Sequence, residues 1–355
     1  MTGQSKTKKI LITGGGGFLG TVLAPRLLDE GKRVKIIDQF YFGLEPLAGF
    51  RNHPGVTITE EDILFQDNDP DLFKGIDTVV HLASISNDPS CDLDPNLSIR
   101  TNFLGTMALA RRAKAEGVRR FIFASTCAVY GASGEEFLDE NSQTIPVTLY
   151  ALTKLESERE LLKLSCPEFP VTILRFATLF GLSPRMRFDL AVNAMTKRAL
   201  QNQVIVVNGL GRQYRPFVHV RDAAGAIMSV MSAPVAKVEG QIFNIGDEAL
   251  NYKIIDLAEA IASHFPGAKI ERVLKNEDLR SYRPRFEKFK NAFRTPLRCG
   301  LAEAVREISE AYKRGELSTM EEDRFYTLTV LRKASGAVQS NLAGSARWLS
   351  LTEQK

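Results

Sequence analysis

The run Ile10-Leu11-Ile12-Thr13, followed at once by Gly14-Gly15-Gly16-Gly17-Phe18-Leu19-Gly20 and an apolar helical pattern, constrains this chain more than any other feature. A short β-branched run reads as a buried strand, and the residues after Gly20 read as a helix packed on it. Glycines at 14, 17 and 20 match a spacing in which each has its own task. The first makes a tight turn, the second lets the backbone approach a diphosphate, and the third lets helix and strand pack closely. The helix N-terminus that follows offers amide donors and positive partial charge to phosphate. A plain structural turn is the bland alternative. Asp38 argues against it, because it ends the second predicted strand eighteen positions beyond Gly20. A carboxylate there accepts both hydroxyls of an adenosine ribose and repels a 2′-phosphate, so NAD is expected over NADP.

The rest of the first half continues the alternation. Strands are expected at Lys9 to Thr13, Arg33 to Asp38, Val56 to Thr59, Thr78 to Leu82, Arg119 to Ala124 and Val171 to Arg175. Helices are expected at about Phe18 to Glu30, Asn96 to Glu116 and Thr148 to Leu164. The expected fold is therefore α/β, a doubly wound parallel sheet of the Rossmann kind, with a smaller, discontinuous α/β substrate domain. Pro216 to Val220 and Gln241 to Asn244 read as further strands of the main sheet. Residues 1–181 and 209–249 are assigned to the cofactor domain, 182–208 and 250–315 to the substrate domain, and 316–355 to a helical C-terminal tail of no evident role.

The totals narrow the class of function. A chain of 355 residues with 44% hydrophobic and 25% charged residues has a globular balance, and its net charge of +4 is too small to argue for nucleic acid. Four cysteines and four histidines, all scattered, give no metal-ligand spacing and fit a reducing, cytoplasmic compartment. Met1 to Lys9 has no apolar core for a signal peptide, and no apolar run is long enough to span a membrane.

Tyr150 and Lys154 stand four apart early in a predicted helix, so phenol and ammonium share one face. The neighbouring cation is expected to lower the phenol's pKa and make it a base near neutral pH. An ordinary surface pair on one helix is the alternative. Ser125 and Thr126 follow the buried-strand pattern Phe121-Ile122-Phe123-Ala124, which places a hydroxyl at the carboxyl end of the sheet, where ligands of this fold bind.

Together, the Gly14/Gly17/Gly20 loop, Asp38, His81-Leu82-Ala83, Asn102, Ala124-Ser125-Thr126 with Val129-Tyr130-Gly131, and Tyr150/Lys154 resemble the extended short-chain dehydrogenases. Within them the chain resembles the NAD-dependent epimerase/dehydratase family, whose members modify nucleotide sugars. The resemblance implies Tyr150 as acid/base, Lys154 as its partner and a nicotinamide-ribose contact, and Thr126 as the hydroxyl that bonds the reacting oxygen. It further implies a cofactor bed of Gly14, Gly17, Phe18, Leu19, Gly20 and Asp38, with Asp62 and Ile63 beside the adenine, Leu82, Ala83 and Ser84 beneath the dinucleotide, and Asn102 steadying the strand ends.

On the substrate side, Gly209 to Asp222 resembles the family segment whose arginine holds a diphosphate, and Arg215 occupies that place. A guanidinium suits phosphate through two parallel bonds. Arg280 is a candidate second clamp. Arg187 is a candidate sugar or phosphate contact, with an ion pair to Asp189 as the alternative. The loop Asp88 to Pro95, which holds Cys91, is expected over the sugar. Cys127 and Ala128 stand where the family's 4,6-dehydratases carry Asp-Glu, which argues against water elimination, and Cys127 reads as a buried structural thiol, with proton chemistry as the alternative. Phe176-Ala177-Thr178 departs from the UDP-galactose 4-epimerases, and Leu182 to Leu190 looks more like a branch containing GDP-heptose 4-dehydrogenases.

The expected activity is NAD-dependent oxidation or reduction at a hydroxyl of a nucleotide sugar, at C4, as dehydrogenase, reductase or epimerase through a keto sugar. A non-catalytic NAD-sensing regulator is the alternative from another class, and it would not need Tyr150, Lys154 and Thr126. An oxidoreductase for a lipid or steroid-like alcohol would not need Arg215. The resemblance also implies a homodimer paired through the helices near Asn96 to Glu116 and Thr148 to Leu164.

Overall fold

The computed structural model describes residues 8–64, 69–274, 278, 280–295, 297–317 and 320–334. Strands β1 (Lys9–Thr13), β2 (Arg33–Asp38), β3 (Val56–Glu60), β4 (Ile76–His81) and β5 (Arg120–Thr126) lie close to where their apolar runs predict them. After β6 (Ala132–Leu138) come β7 (Val171–Phe176), β8 (Thr178–Phe180), β9 (Val204–Asn208) and β10 (Tyr214–His219). β11 (Gln241–Ile245), β12 (Asn251–Lys253), β13 (Lys269–Val273) and β14 (Ser281–Pro284) complete the described strands.

Seven of these form one sheet in the order β11-β7-β5-β4-β1-β2-β3, and every neighbouring pair in it is parallel. The strand order reverses between β1 and β4, and the crevice at such a reversal is where doubly wound sheets bind ligands. Two separate cores cover the two faces. One packs α1 (Gly20–Asp29) through Leu23, Ala24, Leu27 and Leu28, a spacing of three and four that keeps them on one stripe. The other sets Leu109, Ala110 and Ala113 against Val79, Phe121 and Ile173. Burying each such large side chain contributes about 1.5–3 kcal/mol.

Two expectations need correction. The stretch from Pro216 is not a strand of the main sheet: β10 pairs with β8 in parallel and with β12 in antiparallel, in a separate three-stranded sheet. The place beside β7 is taken by β11, whose amides and carbonyls pair from Gln241↔Thr172 to Ile245↔Phe176. The helix expected from Asn96 to Glu116 is interrupted as well. It runs as α2 (Asp88–Leu93), α3 (Pro95–Ile99), a π-helical stretch Arg100–Gly105 and α4 (Thr106–Ala115), with α2 occupying the expected loop. The wider turn alters the i→i−4 bonding there. The Asn102 carbonyl accepts the hydroxyls of Thr106 at 2.8 Å and of Ser157 at 3.0 Å.

A third core holds Phe180, Val192, Met195, Ile205, Phe217, Leu257, Ile261 and Val305, from segments far apart in sequence. The tail does not trail away: Leu317, Met320 and Phe325 are buried in the first core, and a helical run occupies 327–334. The remainder of the expected tail, 335–355, lies outside the described residues. Among the described residues no helix is long and apolar enough to cross a membrane.

Candidate active site

The glycine loop is built for close approach. Gly14 adopts φ +71°, and a Cβ there would lie 2.6 Å from the Ala83 nitrogen. A Cβ on Gly20 would lie 2.6 Å from Gly15 Cα, so α1 starts where only a bare backbone fits. The loop is pinned by Gly14 N donating to Ile37 O at 2.9 Å and Gly17 N to Gly14 O at 3.1 Å. Among the described residues no side chain caps α1. Its first turn therefore faces the crevice with amide donors and positive partial charge.

Gly14, Gly17, Phe18, Leu19, Gly20, Asp38, Ile63, Leu82, Ala83 and Ser84 all border one cavity of about 940 Å³. That is the upper range for a ligand site. The cradle fits a dinucleotide: a glycine-floored turn for the diphosphate, and a carboxylate at the end of β2. Each Asp38 oxygen already accepts one amide, Oδ2 from Gly16 and Oδ1 from Phe40, both at 2.9 Å. Each keeps a further lone pair. Burial raises the Asp38 pKa, opposed by those amides.

Two expected cofactor residues stand back from the cavity. Asp62 caps its own turn, accepting Leu64 N at 2.9 Å, while Glu61 borders the cavity in its place with both carboxylate oxygens unbonded among the described residues. Asn102 sits behind the bed. Its Oδ1 accepts from Ile85 N at 2.8 Å and Ser84 Oγ at 3.0 Å, and its Nδ2 donates to Ile85 O at 3.1 Å. It positions Ser84 and Ile85 rather than lining the cavity.

α5 (Leu149–Leu164) starts on the Thr148 hydroxyl, which accepts from Ala151 N at 3.2 Å, and so fixes Tyr150 in its first turn at the cavity wall. Thr126, at the end of β5, and Lys154 border the same cavity. The electrostatics differ from the expectation. Lys154 is almost fully buried, its Nζ donates to Ala124 O at 2.9 Å, and it lies 4.7 Å above the Phe123 ring. Burial pulls its pKa down to about 8. Burial, with Cys91 and Asp88 nearby, instead pushes the Tyr150 phenol above its ordinary range, while Arg187 opposes the shift. The cation four residues away does not dominate, because its ammonium is turned to a carbonyl and the phenol is desolvated.

Beneath these groups lies a buried network that the sequence did not reveal. Glu158 of α5 accepts from Ser125 Oγ and from Arg175, at 3.1 Å to Nε and 2.7 Å to Nη2. Arg175 Nη1 donates to the Tyr130 hydroxyl at 3.0 Å, which in turn lies 2.9 Å from Asn244 Oδ1. It ties α5, which carries Tyr150, to β5, β7 and β11. Cys127 is buried under the site, with Sγ donating to Arg175 O at 3.2 Å and its thiol pushed up by burial.

The three arginines border the same cavity, each paired with carboxylates. Arg187 forms the expected alternative ion pair with Asp189, Nε–Oδ1 at 3.0 Å and Nη2–Oδ2 at 2.9 Å, and also borders the cavity. Arg215 and Arg280 share Asp278, at 2.6 Å from Arg215 Nη2 and 2.7 Å from Arg280 Nη2, and Arg280 also pairs with Asp88. The two guanidinium groups hold Asp278 well below the usual carboxylate range, at about 2, despite its burial. Asp278 and Asp88 were legible only as sequence neighbours of other candidates. Their effect is to hold two cations side by side at the cavity wall.

A parallel seven-stranded sheet with a glycine-floored crevice at its reversal, and a Tyr/Lys/Thr set at its mouth, defines a dinucleotide-dependent oxidoreductase fold. The comparisons with known proteins agree: residues 10–246 match the model of the NAD-dependent epimerase/dehydratase family. The chain belongs to that family of NAD-dependent, nucleotide-sugar-modifying enzymes. A UDP-N-acetyl-alpha-D-glucosaminuronate decarboxylase of Bacillus cytotoxicus is 34% identical over 253 residues, 68% of this chain and 75% of that protein. An uncharacterised UDP-glucose epimerase of Bacillus subtilis is 31% identical over 268 residues, 72% and 82% of the two chains. Among solved structures, the UDP-glucuronic acid 4-epimerase of Bacillus cereus, in complex with UDP-glucuronic acid and NAD, superposes with a TM-score of 0.75. That match has 24% identity and covers 86% of this chain and 99% of the other.

Proposed function

We propose that the protein oxidises the C4 hydroxyl of a nucleotide sugar to a ketone and, in its epimerase form, re-reduces that ketone. The observation that carries the reading is the single cavity that joins the glycine cradle, Tyr150 with Thr126 and Lys154, and the Arg215/Arg280 pair. Bound NAD supplies the redox partner for the C4–H bond. The Tyr150 phenol exchanges a proton with the C4 oxygen, and the Thr126 hydroxyl donates to that same oxygen. Proton loss from a desolvated phenol needs a nearby cation, and Arg187 is the group that opposes the upward shift of Tyr150. Arg215 and Arg280 hold the diphosphate through charge-assisted bonds, with Asp278 fixing the two guanidinium groups side by side.

The division into 1–181 with 209–249, 182–208 with 250–315, and a tail from 316 is proposed on the same grounds. The separate core that gathers Val192, Ile205, Leu257 and Ile261 supports it, although Phe180 and Phe217 of the assigned cofactor segments pack in that same core, and within 209–249 only Gln241–Ile245 returns to the main sheet. Assembly as a homodimer is supported by Ile99, Leu104 and Leu152, which are apolar and exposed on the two expected pairing helices. Elution at monomer mass in gel filtration would refute it.

A panel of UDP-, GDP-, dTDP- and CDP-sugars, incubated with protein and NAD, tests the reaction. A keto sugar with stoichiometric NADH identifies a dehydrogenase, and a new stereoisomer without net NADH an epimerase. NAD binding with no change in any sugar favours the regulator instead. Loss of water from the sugar, yielding a 4-keto-6-deoxy product, would overturn the argument from Cys127 and Ala128 and align the chain with relatives such as the Streptomyces niveus dTDP-glucose 4,6-dehydratase, 29% identical.

A further inference from the structure

The family match ends at residue 246, yet a wall of the cavity comes from much further along. Tyr326, Thr327, Leu328, Thr329 and Leu331 border the same cavity as Tyr150 and the glycine loop. The helical run 327–334 touches the expected cofactor cleft at both ends. Leu331 is buried against Ile85 and Cys91, with Tyr150 packed on the same cluster, and Ile85 adjoins the Ala83-Ser84 bed. One turn earlier, Thr327 Oγ1 accepts from Arg185 Nη2 at 3.0 Å.

Arg185 makes that contact consequential. It is buried, its Nε and Nη1 have no hydrogen-bond partner among the described residues, and its guanidinium stacks on the Phe42 ring at 3.6 Å. Phe42 follows Asp38 by four residues and borders the cavity, as does Arg185. A buried guanidinium with one bonded nitrogen holds its place only while that bond and the ring contact persist. Thr327 therefore fastens the loop after β2, through Arg185, to the tail. The tail itself is fixed behind this point. Lys197 Nζ meets Tyr326 OH at 2.5 Å and Glu321 at 2.7 Å, and Phe188 N donates to Phe325 O at 3.1 Å.

We propose that the helical run 327–334 is a latch across the dinucleotide cleft, in which Thr327 and Leu331 are positioning residues that keep NAD bound between half-reactions. The proposal rests on the NAD-dependent reading above. It gives the tail a role in whether NADH stays or leaves, the property that separates an epimerase from a net dehydrogenase.

Release of prebound NADH from the full chain, followed by its fluorescence on mixing with excess NAD, tests it. Thr327→Val and Leu331→Ala should each speed release about tenfold, the scale of one lost hydrogen bond or a loosened contact, with little change in association. Thr327→Ser, which keeps the acceptor, should restore the slow rate. Unchanged release in Thr327→Val, with the melting temperature preserved, overturns the latch even if Leu331→Ala does not fold. Equal acceleration in Thr327→Ser and Thr327→Val also overturns it, because the hydroxyl would then be irrelevant. If the unaltered protein binds no NADH at all, the cofactor reading falls first and the latch with it.

Discussion

The two halves of the cavity are made of different material. The cofactor half is chiefly backbone: Gly14 at φ +71°, amides of Gly16 and Phe40 on Asp38, and the uncapped start of α1. The substrate half is made of long charged side chains, Arg187, Arg215 and Arg280, fixed by Asp189, Asp278 and Asp88. Backbone tolerates no added atom, and its partners here, beside the Asp38 carboxylate, are other backbone groups of the same loop and strand end. Guanidinium groups tolerate many neighbours but depend on the carboxylates that aim them. The first half should therefore break abruptly on small steric changes, and the second should degrade by degrees as charges are removed.

Gly14→Ala should give the largest effect. Its Cβ would lie 2.6 Å from Ala83 N at a φ that alanine avoids. NAD affinity should fall by about a hundredfold or more, roughly 3 kcal/mol, by calorimetry. An alanine variant that binds NAD normally would remove the distinction between the halves.

Arg280→Met should raise KM for the nucleotide sugar by about 10- to 100-fold, the range of a lost charge-assisted bond, and leave NAD affinity unchanged. A matching loss of NAD affinity would mean that the two halves are not separable. Asp38→Ala should narrow the preference for NAD over NADP by about tenfold, and an unchanged ratio in binding measurements would refute the ribose role.

The smallest effect is on stability. Lys154 has its pKa pulled below the unfolded value to about 8, so the folded state holds fewer protons than the unfolded state between about 8 and the ordinary lysine range. Stability from this group therefore rises with pH across that window, and its burial costs most below pH 8. Lys154→Met should raise stability more at pH 7 than at pH 9.5, by on the order of 1 kcal/mol in denaturant unfolding, while turnover is lost. An equal gain at both pH values would contradict the assigned shift.

The same contrast explains what the sequence disclosed. Gly14, Gly17, Gly20 and Asp38 act through local backbone geometry, and Tyr150 and Lys154 through one helical turn, so short spacing reveals them. Asp278 meets Arg215 across sixty-three residues, and Glu158 meets Arg175 through folding alone, so no local pattern marks either pair. The β10 strand looked like a main-sheet strand because apolar alternation states burial without stating the partner. The tail's helical character was visible, but its return to the cavity depends on Lys197, Phe188 and Arg185, more than a hundred residues earlier.

The central claim is that Tyr150 moves the proton at the reacting hydroxyl. The direct test is single-turnover formation of NADH by Tyr150→Phe, with the nucleotide sugar that the unaltered protein converts. NAD binding should stay within about twofold of the original and the rate should fall by about 10²- to 10⁴-fold, the usual contribution of general acid–base catalysis. NADH formation at the original rate would contradict it.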